Sequence, residues 1–377
     1  VLIVIMMAGM WCMQPEKASA ADQVIRVLLT TTDFNSRYHQ EITVSYDGKE
    51  ITYTAEEVKK QGDKVRIPAQ KDGIRILSIQ RQSGTPVYDG SIEIIPKAEG
   101  LIIVNELFLE KYLTRVVPSE MPATYEKEAL KAQAVAAHTY AERQHLLEQS
   151  HPTAELCGAD FSNDSSQYQA CFTENQARRY YGDNFEASYA KITAAVDEVL
   201  PYVLEYDGTP IIAAFCSMSA GTTESAETVW GSKVEYLVPV ESEADTSAPR
   251  YLETASFTGE EFQAAVQDAL PDAVWDTDMA KWVQVGACSQ SGTVLEVTVG
   301  GKTCSGQELR QMLGLRSAVF SVDVQDGKLV FTTKGYGHGV GMSQYGANAM
   351  AKDGADWQEI LCHYYPAAQL VQGELPA

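Results

Sequence analysis

Between residues 24 and 104 apolar and polar positions alternate in short runs: IRVLLTTT, QEITVSY, KVRIPA, IRILSI and SIEIIP. Period-two alternation buries one face of a strand. The runs are separated by Asp47-Gly48, Asp72-Gly73 and Asp89-Gly90, dipeptides that tolerate the backbone of tight turns. The spacing predicts a β-rich unit over 23–100. From residue 105 the period lengthens. NELFLEKYLTRVV reads as an amphipathic helix that stops at Pro118, and about 125–148, YEKEALKAQAVAAHTYAERQHLLE, as a longer helix of Ala, Leu, Glu and Gln. Residues 150–182 are polar without a clear period and read as loop with some helix. A helix over 187–200 is followed by a strand pair across Asp207-Gly208. The acidic segment 241–290 has no readable pattern. Strands return over 294–335 with a helix near 305–313, and helical pieces at about 343–352 and 355–364 follow. The expected class is α+β, mixed β-rich units around a central helical segment. The units are 23–100, 101–240, 241–334 and 335–377.

Composition narrows the compartment and the partners. Residues 1–13, VLIVIMMAGMWCM, carry no charge. They are short of the ~20 residues that a span needs, but suit a signal segment or part of an anchor helix. Residues 1–22 are therefore set apart, and the protein is expected to be exported or membrane-anchored, outside the cytoplasm. Lys and Arg total 29 against 51 Asp and Glu, a net charge of −22, with no long basic run. Such a surface repels a phosphate backbone, so no nucleic-acid partner is expected, and an anionic polymer would have to be gripped locally. Seven cysteines are present, six of them after residue 22, an even number that permits disulfides in an exported chain.

Four constellations could carry chemistry. In Val116-Val117-Pro118-Ser119-Glu120-Met121-Pro122 a single carboxylate stands between two prolines at a helix junction. Apolar neighbours would raise its pKa and suit it to general-acid work, whereas a helix N-terminus would lower it. Gly335 to Gly346, GYGHGVGMSQYG, holds five glycines and His338 but matches neither a phosphate loop nor a dinucleotide fingerprint. Phe215 to Glu224, FCSMSAGTTE, offers small hydroxyl residues, Ser217 and Ser219 among them, which either meet a sugar or cap the backbone. His151, Cys157 and Cys171 lie in one polar segment and suit either zinc or, for the two thiols, a disulfide.

Together these stretches resemble the stage II sporulation protein D / amidase-enhancer (SpoIID/LytB) family. The resemblance is carried, in the family's order, by VVPSEMP with EALKAQAVAAHTYAE, by FCSMSAGTTESAETVWG, by GTVLEVTVGGKTCSGQELRQMLGLRSAVF, and by GYGHGVGMSQYGANAMAKDGADWQEILCHYYP. It spans roughly residues 90–366. It implies a SpoIID-like fold and a membrane-anchored lytic transglycosylase that cuts peptide-stripped peptidoglycan strands to 1,6-anhydro ends during engulfment. The family's catalytic Glu maps onto Glu120. His338, Ser343, Gln344, Ser217, Ser219 and Tyr336 are then candidates for binding the glycan. A sporulation cell-wall amidase is the implied partner. The resemblance also raises His151, Cys157 and Cys171 as a structural zinc set, no metal being required for the chemistry. The chain departs from the family at His138, where Arg is usual, and at Cys216 and Ala220, where His and Gly are frequent. The alternative it leaves open is a non-catalytic peptidoglycan-binding activator of an amidase.

Overall fold

A computed structural model describes residues 23–165 and 167–373. The apolar segment expected to direct export or anchoring lies outside them. Among the described residues no helix is long and apolar enough to cross a membrane. The fold is α+β.

A five-stranded sheet runs in the order Val65–Ile67, Ser91–Pro96, Leu101–Phe108, Val24–Leu29, Phe161–Ser162. All neighbours are antiparallel except the last pair, where Val27 and Leu28 lie parallel to Phe161 and Ser162. A four-stranded sheet, Lys49–Tyr53, Ile42–Tyr46, Ile74–Ile76, Val87–Tyr88, packs into the same core. Alternation does its expected work: Ile25, Val27 and Leu29 face that core, while Leu28 points to a smaller cluster with Ile102, Val104 and Ala159.

Two expectations are corrected. Residues 105–108 do not open a helix; they finish the central strand Leu101–Phe108. Cross-strand partners hold them: Asn105 Nδ2 donates to the Asp89 and Ser91 carbonyls at 2.6 and 3.1 Å, and Glu106 pairs with Arg26 at 2.6 Å. Nor does Pro118 stop the helix, which spans Leu109–Glu120 with Pro118 in its last turn. Pro122 ends it, because the residue before a proline is pushed out of the helical region, and Met121 has φ −123° and ψ 135°.

The long helix Lys127–Ser150 is buried on many sides from Ala129 to Ala141, and its alanines let neighbours approach closely. The helices Leu109–Glu120 and Phe185–Val199 pack on it, as does Gln344–Lys352. The predicted strand pair across Asp207-Gly208 forms as Tyr202–Tyr206 with Thr209–Pro210. The segment that had no readable pattern folds. It contributes Leu252–Phe257, helix Gly259–Val266 and Val283–Val285 to a second core around Phe262, Val297, Leu309 and Phe331.

The glycine-rich and serine-rich segments meet between these cores. Phe215–Cys216 pairs in parallel with Met342–Ser343. At Gly341 the backbone has φ +74°, and a Cβ would stand 2.0 Å from the Ala214 carbonyl oxygen. No side chain fits there. Gly341→Ala is expected to lose about 3 kcal/mol of stability, read as a lowered urea midpoint; an unchanged midpoint would mean that the two segments are not in this contact.

Candidate active site

Glu120 is the last residue of its helix. Its position is set by the chain that crosses the helix end. The Ser119 hydroxyl lies 2.6 Å from the Val116 carbonyl and 2.7 Å from that of Ala170, and the Phe172 N–H donates to the Arg115 carbonyl at 3.0 Å. The Ala170 N–H donates to Glu120 Oε1 at 3.2 Å. Val116, Val117 and Met121 are fully buried beside it. Burial pushes the carboxyl up to about 7, against the opposing pull of the Ala170 N–H. The negative end of the helix dipole disfavours the anion as well. Among the described residues Glu120 forms no ion pair. Tyr112, buried beneath, donates to Gln169 Oε1 at 3.1 Å.

After Glu120 the chain makes a tight turn, with Tyr125 N–H to the Pro122 carbonyl at 3.0 Å, and Lys191 Nζ donates to the Ala123 carbonyl at 2.8 Å. Tyr125 carries the turn to the glycine-rich segment: its ring meets that of Tyr345 edge-on, with centroids 5.6 Å apart. Close by, Tyr180 is 59% exposed, resting against Phe172 at 5.7 Å and Tyr181 at 4.9 Å. Tyr125, Tyr180 and Tyr181 are not among the candidates that the sequence motifs point to. The tyrosines that crowd between residues 112 and 189 were the available signal.

The other sequence candidates fall into separate groups. Ser217 accepts the Tyr345 N–H through its carbonyl at 3.1 Å, and its side chain is half-buried at that rim. Tyr336 is 47% exposed, with the Arg316 guanidinium 4.2 Å from its ring centroid. His338 is half-buried, its ring 5.6 Å from that of Trp230. Its Nδ1 accepts the Val340 N–H at 3.0 Å, and burial, helped by Arg310, holds its pKa down to about 4, so it is neutral. Gln344 is buried and donates to Gln133 at 3.2 Å on the long helix. Ser219 and Ser343 are buried too, and both hydroxyls donate to Asp245, at 2.6 and 2.7 Å. Arg178 is paired with Glu174 and Glu186.

His138, the departure from Arg, lies buried in the long helix, and burial lowers its pKa to about 4. It packs toward Leu200 and Tyr202. The proposed zinc ligands do not fit a metal here. His151 is exposed at the end of the long helix with Nδ1 3.0 Å from Ser150 Oγ. Cys157 turns its thiol to the Ala154 carbonyl. Cys171 lines a cavity of about 170 Å³ with Asp89 and Arg115. Among the described residues no group of three or more His, Cys, Asp or Glu side chains could hold a metal ion, and the six described cysteines are free.

A family model described as stage II sporulation protein matches residues 97–206, the span that holds Glu120 and the long helix. The chain is 38% identical over 271 residues to stage II sporulation protein D of Bacillus subtilis (strain 168), covering 72% of this chain and 76% of that protein. It is 37% identical over 273 residues to stage II sporulation protein D of Bacillus amyloliquefaciens, with the same coverage. It is 29% identical over 309 residues to the amidase enhancer of Bacillus subtilis (strain 168), covering 68% of this chain and 40% of that protein.

The raised pKa has a measurable consequence. The folded chain holds the Glu120 proton more tightly than the unfolded chain does. The cost of ionising Glu120 is therefore absent at pH 4, grows between 4.5 and about 7, and is complete above that. In urea unfolding, Glu120→Gln is expected to match wild type at pH 4 and to exceed it by roughly 3 kcal/mol at pH 8. Equal stability at both pH values would mean that the carboxylate is well solvated.

Proposed function

The chain belongs to the stage II sporulation protein D family, and on that premise we propose that it is a lytic transglycosylase acting on peptide-stripped peptidoglycan outside the cytoplasm, with Glu120 as its acid and base. The observation that carries this reading is one half-buried carboxylate, set among buried apolar side chains without an ion-pair partner and with its pKa pushed up to about 7. Such a group holds its proton at the start of the reaction and can take one back at the end. Protonated Glu120 gives its proton to the bridging oxygen of the glycosidic bond. That bond breaks with development of oxocarbenium character at C1. The resulting Glu120 carboxylate removes the proton from the C6 hydroxyl of the same sugar, whose oxygen closes on C1 as the 1,6-anhydro bridge. Atoms and protons balance with no water consumed and no second carboxylate, unlike a hydrolase that works with two.

The neighbourhood supports a sugar substrate. Tyr180 is an exposed aromatic surface, and Tyr125, Tyr345 and the Ser217 rim form a polar-edged wall beside the turn that follows Glu120. Tyrosine suits such a wall, because one face is apolar and its end can hydrogen bond. Residues 1–13 would hold the chain at the membrane facing the wall, and a cell-wall amidase that strips the peptides is the partner we propose. The relative named amidase enhancer favours a second reading, in which the chain binds glycan and stimulates that amidase without cutting.

Mass spectrometry of products from amidase-stripped peptidoglycan separates the two. Wild type is expected to yield anhydro-ended fragments and Glu120→Gln none. Turnover is expected to fall as pH rises through about 7, where Glu120 loses its proton. Reducing-ended fragments would make the enzyme a hydrolase. Intact strands with wild type, together with amidase stimulation retained in Glu120→Gln, would make it an activator.

A further inference from the structure

Asp245 lies in the acidic segment that sequence patterns left unread, and it is completely buried. Among the described residues it forms no ion pair; burial raises its pKa, and the hydrogen bonds from Ser219 and Ser343 oppose that rise. Oδ2 accepts the Ser219 N–H at 2.8 Å and the Ser219 hydroxyl at 2.6 Å. Oδ1 accepts the Ser343 hydroxyl at 2.7 Å. Each serine oxygen in turn accepts a backbone N–H, from Gly221 and from Gly346, both at 3.1 Å. A hydroxyl has one proton, so each serine gives its own to Asp245. Only a carboxylate accepts all three donors; an Asn in its place would turn an N–H₂ toward at least one of them.

The two serines belong to the two segments that meet at the site. Ser343 caps the helix Gln344–Lys352, and two residues on Tyr345 is bonded to Ser217 and stands against Tyr125. Ser219 follows Met218, which exchanges backbone hydrogen bonds with Tyr336 at 2.9 and 3.2 Å. Asp245 thus stands behind the wall that faces the substrate and does not touch it. A buried carboxylate without a cation carries a desolvation cost, so an apolar contact would hold these segments together at less cost. What the carboxylate adds is direction, since its three short bonds admit one register of one segment on the other.

We propose that Asp245 is a positioning residue: by tying Ser219 to Ser343 it sets Ser217 and Tyr345 at the spacing that receives the glycan strand beside Glu120. This rests on the reading of the site as a glycan cleft.

The test measures cleavage of stripped glycan by Asp245→Asn, and its binding in the Glu120→Gln background, with wild type and Glu120→Gln as references. For Asp245→Asn we expect KM to rise about tenfold with kcat changed less than about threefold, and the Glu120→Gln/Asp245→Asn chain to bind about tenfold more weakly than Glu120→Gln. The fall in turnover through about pH 7 should stay where Glu120 puts it. Ser343→Ala, which removes one of the three bonds, should lie between wild type and Asp245→Asn. A folded Asp245→Asn with unchanged KM and binding overturns the proposal, as does a loss confined to kcat. If Asp245→Asn does not fold, Ser343→Ala and Ser219→Ala decide, and normal KM and binding in both overturn it. Wild type that binds glycan without cutting it refutes the transglycosylase reading alone, and the binding series still judges Asp245. Wild type that neither binds nor cuts refutes both.

Discussion

The chemistry proposed for this fold depends on keeping one half-buried carboxylate among apolar side chains and away from cations. The contact that does so is small: the end of a helix, Ser119 and Glu120, against a single extended stretch, Ala170 to Phe172. Basic side chains are near in sequence, but they are engaged elsewhere. Arg115, on the same helix, pairs with Asp89, and Arg178 with Glu174. An arginine against Glu120 would return its pKa to the ordinary range and leave it ionised at neutral pH. The site is thus defined as much by where the positive charges are held as by where the carboxylate stands.

A second constraint is how closely two backbones approach. The glycine-rich segment lies against the serine-rich one at distances that leave no room for side chains. At Gly335 a Cβ would come within 2.7 Å of the Ser219 carbonyl oxygen, and at Gly337 within 2.8 Å of Cys216 Cβ. Glycines that match no ligand-loop fingerprint in the sequence are the means of packing one segment on another. The hydroxyls that resemble sugar ligands are, at Ser219 and Ser343, the means of locking that packing through Asp245. The groups that stay exposed or half-exposed at the edges are Ser217, Tyr180, Tyr336, and His338 beside Trp230.

The second hydrophobic core supports the same turn from its far side. Gly337 N–H donates to the Arg316 carbonyl at 2.9 Å, Gly335 N–H to that of Tyr251 at 2.9 Å, and the Ser317 hydroxyl to that of Lys334 at 2.6 Å. Ser289 reaches Glu224, at the end of the serine-rich segment, with 2.5 Å between the oxygens. The glycine-rich turn is therefore held between two packed bodies, which restrains a segment whose composition alone would leave it mobile.

By itself the sequence determined whatever acts over a few residues. Alternation in IRVLLTTT and SIEIIP marked strands, the Ala-rich run marked the long helix, and Asp207-Gly208 marked a hairpin. The ProSerGluMetPro stretch marked Glu120, and the order of the motifs marked the family. Tertiary structure decided what depends on partners far along the chain. Residues 105–108 became strand because Arg26 and Asp89 hold them, against a helical period of their own. Ser219 and Ser343 were committed to Asp245, 26 and 98 residues away. His151, Cys157 and Cys171 are near one another in sequence but do not converge, because the stretch between the two thiols is drawn into the sheet beside Val27 and Leu28. Period and turn chemistry come from local sterics, which each short stretch carries with it. Burial, charge pairing and the direction of a hydroxyl proton come from whatever the whole chain packs against them, and no single stretch contains that information.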